Sequence, residues 1–193
     1  MNALSNHEYN DELHEYRIYG QVVPSVTQIL TAARLYNDSY FTEESRIRGK
    51  YIHKACLYEL HSDLNYDSVP IEYMGYIEAF KLFLGTTNCT PYLAECEIPL
   101  FSETLRYGGT PDLPCMLNNV DTVIDIKSGN ETITTGVQLA GYEQLMNRHV
   151  KRYGLYLKAD GKYRLIPYAD RNDIKIFNAA LTLYNYRVEK GLL

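Results

Sequence analysis

The stretch Tyr107-Gly108-Gly109-Thr110-Pro111-Asp112-Leu113-Pro114-Cys115-Met116-Leu117-Asn118-Asn119-Val120-Asp121-Thr122-Val123-Ile124-Asp125-Ile126-Lys127 decides the fold. Asn118-Asn119 separates two apolar segments, Tyr107 to Leu117 and Val120 to Lys127. Two asparagines between strand-like runs predict a tight hairpin turn, because Asn tolerates the positive φ that such turns require. With a two-residue loop, Leu117 lies opposite Val120. Counting outward places Asp112 opposite Asp125, on one face of the sheet, with Cβ atoms roughly 5 Å apart. Lys127, two residues past Asp125, points to that face too. Pro111 cannot donate to the ladder, so the pairing is expected to fray or bulge there.

Like charges opposite each other are destabilising. At ~4 Å their repulsion is about 1 kcal/mol in water and about 4 kcal/mol at an effective dielectric of 20. A folded protein keeps such a pair when something positive sits between them, and Lys127 and a divalent cation are the two candidates. Two carboxylates with a neighbouring Lys suit phosphodiester hydrolysis: the metal polarises a phosphoryl oxygen, and Lys holds or polarises the nucleophile. A solvated cross-strand ion network is the bland alternative. The apolar Val123, Ile124 and Ile126 count against it, because they keep Asp125 off a simple exposed edge.

The chain has 193 residues, of which 46% are hydrophobic and 22% charged. That is enough for one domain with a substantial core and is not a disordered composition. Net charge is −5, which counts against broad, non-specific coating of nucleic acid. It does not exclude a nuclease whose acids are neutralised by metal. Trp is absent and Tyr numbers 19, so rings with a hydroxyl are available for half-buried surfaces or for stacking on bases. None of Cys56, Cys89, Cys96 and Cys115 forms a C-x-x-C pair, so zinc-ribbon and iron–sulfur spacings are missing. No signal peptide and no run of ~18 apolar residues is evident, which predicts a reduced, cytoplasmic setting without a membrane span.

Met1 to Glu15 reads as a flexible polar lead-in, and Tyr16 to Val23 as a short strand. Ser25 with Gln28 forms a capping box for a helix through Leu35. Further helices are expected over Glu43 to His61, with Ile47, Ala55, Leu57, Tyr58 and Leu60 as apolar positions, and over Ile71 to Leu84. Gly85 to Thr90 reads as a loop and Tyr92 to Phe101 as a strand. After the hairpin come a helix over Thr135 to His149 and a second hairpin, Tyr153 to Lys158 with Tyr163 to Pro167. A closing helix covers Asp170 to Lys190, with Ile174, Phe177, Ala180, Leu181 and Tyr184 on one stripe. This order predicts an α/β domain with a mixed central β-sheet flanked by α-helices.

Four other groups carry potential chemistry. Arg46, Lys50, His53 and Lys54 fall within roughly 100° on one helix face, a basic stripe suited to phosphate contact with an imidazole that could ligate metal. Gly49 inside that helix costs about 1 kcal/mol relative to Ala, which predicts a close contact or a bend. Gly108-Gly109 allows close approach of a ligand or a neighbouring strand, or simply a turn. Gln138 and Tyr142, at i and i+4, share a helix face beside the Asp-x-Lys strand, although Thr135-x-x-Gln138 also fits a capping box. Glu95 and Glu97 point to one face of their expected strand, and geometry alone does not choose between them.

In order along the chain, Gly49-x-x-x-His53, Glu97, Gly109-Thr110-Pro111-Asp112, Asp125-Ile126-Lys127 and Gln138-Leu139-x-x-Tyr142 resemble the PD-(D/E)XK nuclease superfamily, in its RecB-like exonuclease branch. The lead-in Pro24-Ser25-Val26-Thr27-Gln28-Ile29-Leu30 is similar to phage members and to mitochondrial genome maintenance exonucleases. The resemblance spans residues 16 to 185 and implies a restriction-endonuclease-like core in a single nuclease domain over residues 16–193. It implies Mg²⁺ or Mn²⁺ held by His53, Glu97, Asp112, Asp125 and the Ile126 carbonyl. Glu97 is preferred over Glu95 by its spacing to Asp112. Lys127 would activate or position the attacking water, Gln138 and Tyr142 would line the site, and Arg46, Lys50 and Lys54 would contact nucleic acid. The relatives with an iron–sulfur cluster carry cysteines after the core, so no such cluster is expected here.

The activity implied is a metal-dependent deoxyribonuclease, an exonuclease acting on DNA ends or single strands in recombination, repair or replication. A protein of one of those processes is the partner class implied. A non-cleaving nucleic-acid-binding or protein-interaction module on the same fold is the runner-up. An endonuclease of restriction or defence type ranks lower, since no target-recognition segment is evident.

Overall fold

The computed structural model describes residues 6–36 and 42–193. Its centre is a mixed five-stranded sheet in the order β10-β9-β8-β7-β4. Strands β4 (Cys89–Pro91), β7 (Leu113–Leu117), β8 (Val120–Lys127), β9 (Lys151–Leu157) and β10 (Tyr163–Pro167) make it up. The hairpin register is the one read from the sequence: Leu117 pairs Val120 and Leu113 pairs Ile124 across Asn118 and Asn119, both at positive φ. β8 runs parallel to β9, so it needs a crossover, and α4 (Thr135–Met146) supplies it. A crossover helix runs back along its strand, which puts the first turns of α4 over the end of β8.

Helices α2 (Glu43–Leu60) and α3 (Ile71–Thr86) cover one face of the sheet, where Ile52, Phe80 and Phe83 pack on Leu113, Ile124, Ile126 and Leu155. Helices α1 (Val26–Ala32), α4 and α5 (Asn172–Glu189) cover the other, where Ile29, Leu139 and Phe177 pack with Val123. The protein is therefore α/β, with its sheet between helices. Burial on both faces explains the near-continuous apolar run of β8. Among the described residues no helix is long and apolar enough to cross a membrane.

Several elements depart from the sequence reading. Part of the expected lead-in is ordered: β1 (His7–Asn10) pairs with β2 (Glu15–Ile18). Residues 1–5 lie outside the described residues. Tyr16 to Val23 is a hairpin and not one strand, because Tyr19 and Gly20 both take positive φ and turn β2 back into β3 (Gln21–Val23). The capping box of Ser25 and Gln28 is formed. Its helix stops at Ala32 and not Leu35, with Arg34 left-handed and the Leu35 and Tyr36 N–H groups both donating to the Leu30 carbonyl. On α2 the buried residues are Ile52, Ala55 and Cys56, while Ile47 is 56% exposed and Tyr58 also faces outward.

Of the strand expected over Tyr92 to Phe101 only Leu100 and Phe101 are in a strand. Prolines at 91 and 99 remove ladder donors at both ends, Glu97 is left-handed, and Leu93 and Ile98 are exposed. β4 falls in the stretch read as a loop, and β5 (Leu100–Ser102) pairs with β6 (Tyr107–Gly109) in a separate two-stranded sheet. The Tyr107 to Leu117 segment is thus two strands, broken at Thr110-Pro111-Asp112. Helix α4 ends at Met146, short of His149, because Asn147 takes the left-handed cap.

Candidate metal centre

The break before β7 builds the site. In an antiparallel ladder closed by the Leu117–Val120 turn, Ile126 presents both its N–H and its carbonyl towards position 111. Pro111 has no N–H to give that carbonyl, and its own carbonyl accepts from the Glu97 N–H at 3.0 Å. Asp112 takes the vacated place: its Oδ2 accepts the Ile126 N–H at 2.6 Å. Asp112 and Asp125 are therefore not a plain cross-strand pair, since the regular pairing stops at Leu113 and Ile124 and Asp112 turns aside. Its Oδ1 meets His53 Nδ1 at 3.5 Å, and Glu97 Oε1 lies 3.6 Å from the same nitrogen. His53, Glu97 and Asp112 each offer a ligand atom within 4.8 Å of the others.

Glu95 does not join this group. It pairs with Arg148, so the choice of Glu97 holds geometrically, although the strand on which both were placed does not exist. Glu97 reaches the site from a turn, with its backbone at φ 54°.

Asp125 stands beside the trio, 1% exposed. Its Oδ2 is 2.6 Å from Lys127 Nζ in an ion pair, while its Oδ1 has no hydrogen-bond partner among the described residues. Burial and the neighbouring Asp112 push its carboxyl up to about 6, against the pull of Lys127. Burial acts on Asp112 in the same direction, yet His53, Lys127 and the Ile126 N–H together hold it below the usual carboxylate range. Burial alone would lower His53, but Asp112 and Glu97 raise it well above the ordinary imidazole value. Lys127 is likewise held charged by Asp125 and Asp112 against its burial. A buried carboxylate with one unpartnered oxygen, next to one imidazole and two further carboxylates, could hold a hard divalent cation. In a regular ladder the Ile126 carbonyl would face Pro111, which has no N–H to give it.

Gln138 and Tyr142 continue the site into α4. Lys127 Nζ donates to Gln138 Oε1 at 3.1 Å, and Gln138 Nε2 donates to Tyr142 Oη at 3.1 Å. The capping-box alternative for Gln138 is not realised; the α4 N-cap is Thr134, without a side-chain bond. The basic stripe divides. His53 turns in to the carboxylates, while Arg46, Lys50 and Lys54 stay exposed on the outer side of α2. Gly49 does not serve a close contact: a Cβ there would meet nothing within 4 Å among the described residues.

The paired glycines have a packing reason. A Cβ on Gly108 would lie 2.3 Å from the Tyr16 ring, and one on Gly109 2.9 Å from Val26 and Leu145 and 3.0 Å from Tyr142. Tyr16 was read only as the first residue of a strand. It is buried, and its hydroxyl meets Thr110 Oγ1 at 2.7 Å, two residues before Asp112. Tyr107 Oη donates to the Gly141 carbonyl at 2.9 Å, tying the same run to α4. Neither contact has a local spacing signal, because each joins residues far apart in sequence. No protein-family model matches this chain, and no curated protein matches it.

Proposed function

We propose that the protein is a metal-dependent nuclease that hydrolyses DNA phosphodiester bonds, an exonuclease working on ends or single strands in recombination, repair or replication. The observation that carries this reading is the convergence of His53, Glu97 and Asp112 next to the buried Asp125–Lys127 pair. The reading also takes the sheet and its helices as a restriction-endonuclease-like core. Bound among these ligands, Mg²⁺ or Mn²⁺ would supply Lewis-acid polarisation of a phosphoryl oxygen and a more acidic water. Hydrolysis forms a bond from water oxygen to phosphorus and breaks the bond to the sugar oxygen, which leaves with a proton. Asp125 and Asp112 favour the charged form of Lys127, which would hold the phosphate and offset the negative charge that builds on it. Gln138 fixes the Lys127 ammonium, and Tyr142 fixes Gln138. Lys50, Lys54 and Arg46, exposed on α2, would meet backbone phosphates.

A non-cleaving binding module is the second reading, and the net charge of −5 favours it. One experiment separates the two. DNA labelled at the 5′ or 3′ end, single- and double-stranded, is incubated with Mg²⁺, Mn²⁺ or EDTA and either wild type or Lys127→Ala. We expect cleavage that needs metal and that falls by about 10²–10³ or more in the variant, the loss typical of removing one charge-stabilising group. Equal cleavage by both proteins would overturn the role of Lys127. No cleavage of any substrate would decide for the binding module.

A further inference from the structure

The turn that delivers Glu97 is anchored in the core by one side chain, Cys96, which is buried with its Sγ 3.9 Å from the Pro114 carbonyl. Between β4 and β5 two backbone bonds also tie it, Tyr92 N–H to the Pro114 carbonyl of β7 at 2.9 Å and Glu97 N–H to the Pro111 carbonyl, in the break before β7, at 3.0 Å. Glu97 itself sits in the left-handed region at φ 54°, a conformation that costs a non-glycine residue on the order of 1 kcal/mol or more and persists only where its surroundings enforce it. A further anchor comes from just beyond the end of α4. Arg148 grips Glu95 with both terminal nitrogens, at 2.5 and 3.3 Å. Its Nε lies 3.4 Å from Asp121 on β8, and its guanidinium carbon is 5.5 Å from the centre of the Tyr92 ring. One side chain thus joins the first and middle parts of the turn to the central hairpin.

We infer that the Arg148–Glu95 clasp sets the metal affinity of the site by holding the turn in the shape that points Glu97 at His53 and Asp112. The inference rests on the metal-site reading above. Arg148 and Glu95 are positioning residues: neither belongs to the ligand trio. An isolated exposed ion pair would contribute little. This one is bidentate, shared with a second carboxylate and stacked on a ring, and its consequence is felt two residues away at a strained ligand. Partners that orient metal ligands typically change metal affinity by 10–100-fold when removed, while leaving the fold in place.

Direct Mn²⁺ titration, by the electron-spin-resonance signal of the free ion, tests this without any assay of cleavage. Thermal midpoints of the metal-free proteins are measured alongside. Wild type is expected to bind Mn²⁺ and His53→Ala to lose it. Arg148→Met and Glu95→Gln should each weaken binding by about 10-fold, and the double variant no further, because one pair is broken either way. Their metal-free midpoints should stay close to wild type. Wild-type affinity in both variants, additive losses, or losses that track a fall in the metal-free midpoint would each overturn the clasp. Should Arg148→Met fail to fold, Glu95→Gln, at a partly exposed turn position, carries the same comparison. Absence of Mn²⁺ binding by wild type would instead overturn the metal site itself, and the clasp with it.

Discussion

Two clusters of buried charge sit on the α4 side of the sheet, and they are finished differently. Around Arg152 on β9 every charged group is met. Its Nη1 donates to the Gly136 carbonyl at 3.1 Å and its Nη2 to the Asp170 carbonyl at 2.7 Å. Glu143 and Asp173 lie 3.4 and 3.3 Å from the same guanidinium. No atom of the three is left buried without a partner. Around Asp125 the Lys127 ammonium is closer still, 2.6 Å from Oδ2, yet among the described residues Oδ1 has no partner. Buried charge met on every side is architecture: it locks β9 to α4 and to the start of α5. Buried charge left incomplete is a cost the fold carries, and such costs collect where a ligand is to complete them.

The largest stability effect is expected from breaking the complete cluster. Arg152 is buried, with 6% of its surface exposed. Arg152→Met removes the positive charge and strands Glu143 and Asp173, which should cost about 3–5 kcal/mol of unfolding free energy. Urea denaturation checks it through the midpoint at unchanged slope. A loss under about 1 kcal/mol would mean that water reaches this cluster as easily as it reaches the surface, and the contrast between the two regions would collapse.

Neutralising the incomplete cluster should act with the opposite sign. Asp125→Asn keeps the shape and removes a buried negative charge that burial and Asp112 both disfavour. The metal-free variant should therefore be more stable than wild type, by about 1–3 kcal/mol. Mn²⁺ then reverses the order. At about 100 times its dissociation constant it adds about 2.7 kcal/mol to wild type and less to the variant, which has lost a ligand charge. Thermal melts with and without Mn²⁺ read both halves. A variant destabilised in EDTA would show that the Lys127 pair already completes Asp125 and that no cation is called for.

The two clusters were also unequally visible in the sequence. The candidate site was legible because its parts obey local periodicities. A two-residue turn set the register that brings Asp112 near Asp125, a step of two put Lys127 with Asp125, and a step of four put Gln138 with Tyr142. What was not legible is where the regular pattern is broken. Pro111 stops the ladder, so Asp112 swings to cap Ile126, and the prolines flanking Tyr92 to Ile98 turn an expected strand into the turn that carries Glu97. The Arg152 cluster has no signature at all. Glu143, Arg152 and Asp173 come from a helix, a strand and another helix, and only the parallel crossover of β8, α4 and β9 brings them together. The same holds for Tyr16 and Gly108, a close approach between a hairpin and a strand about ninety residues apart.

The rim of the complete cluster gives the smallest and most discriminating effect. His149 Nδ1 lies 2.9 Å from Glu143 Oε1, as short as any contact in the cluster but one, yet the ring is 75% exposed. If closeness decided stability, His149→Ala would cost as much as a member of the buried network. If completeness in the dry interior decides it, the substitution should cost under about 0.5 kcal/mol, since an exposed pair gains little over water and is screened by salt. Glu143 keeps its second oxygen near Arg152, and water takes the place of the imidazole. Chemical denaturation of His149→Ala at low and at high salt reads the difference. A loss above about 1.5 kcal/mol, insensitive to salt, would place His149 inside the network and move the boundary between architecture and surface outward by one residue.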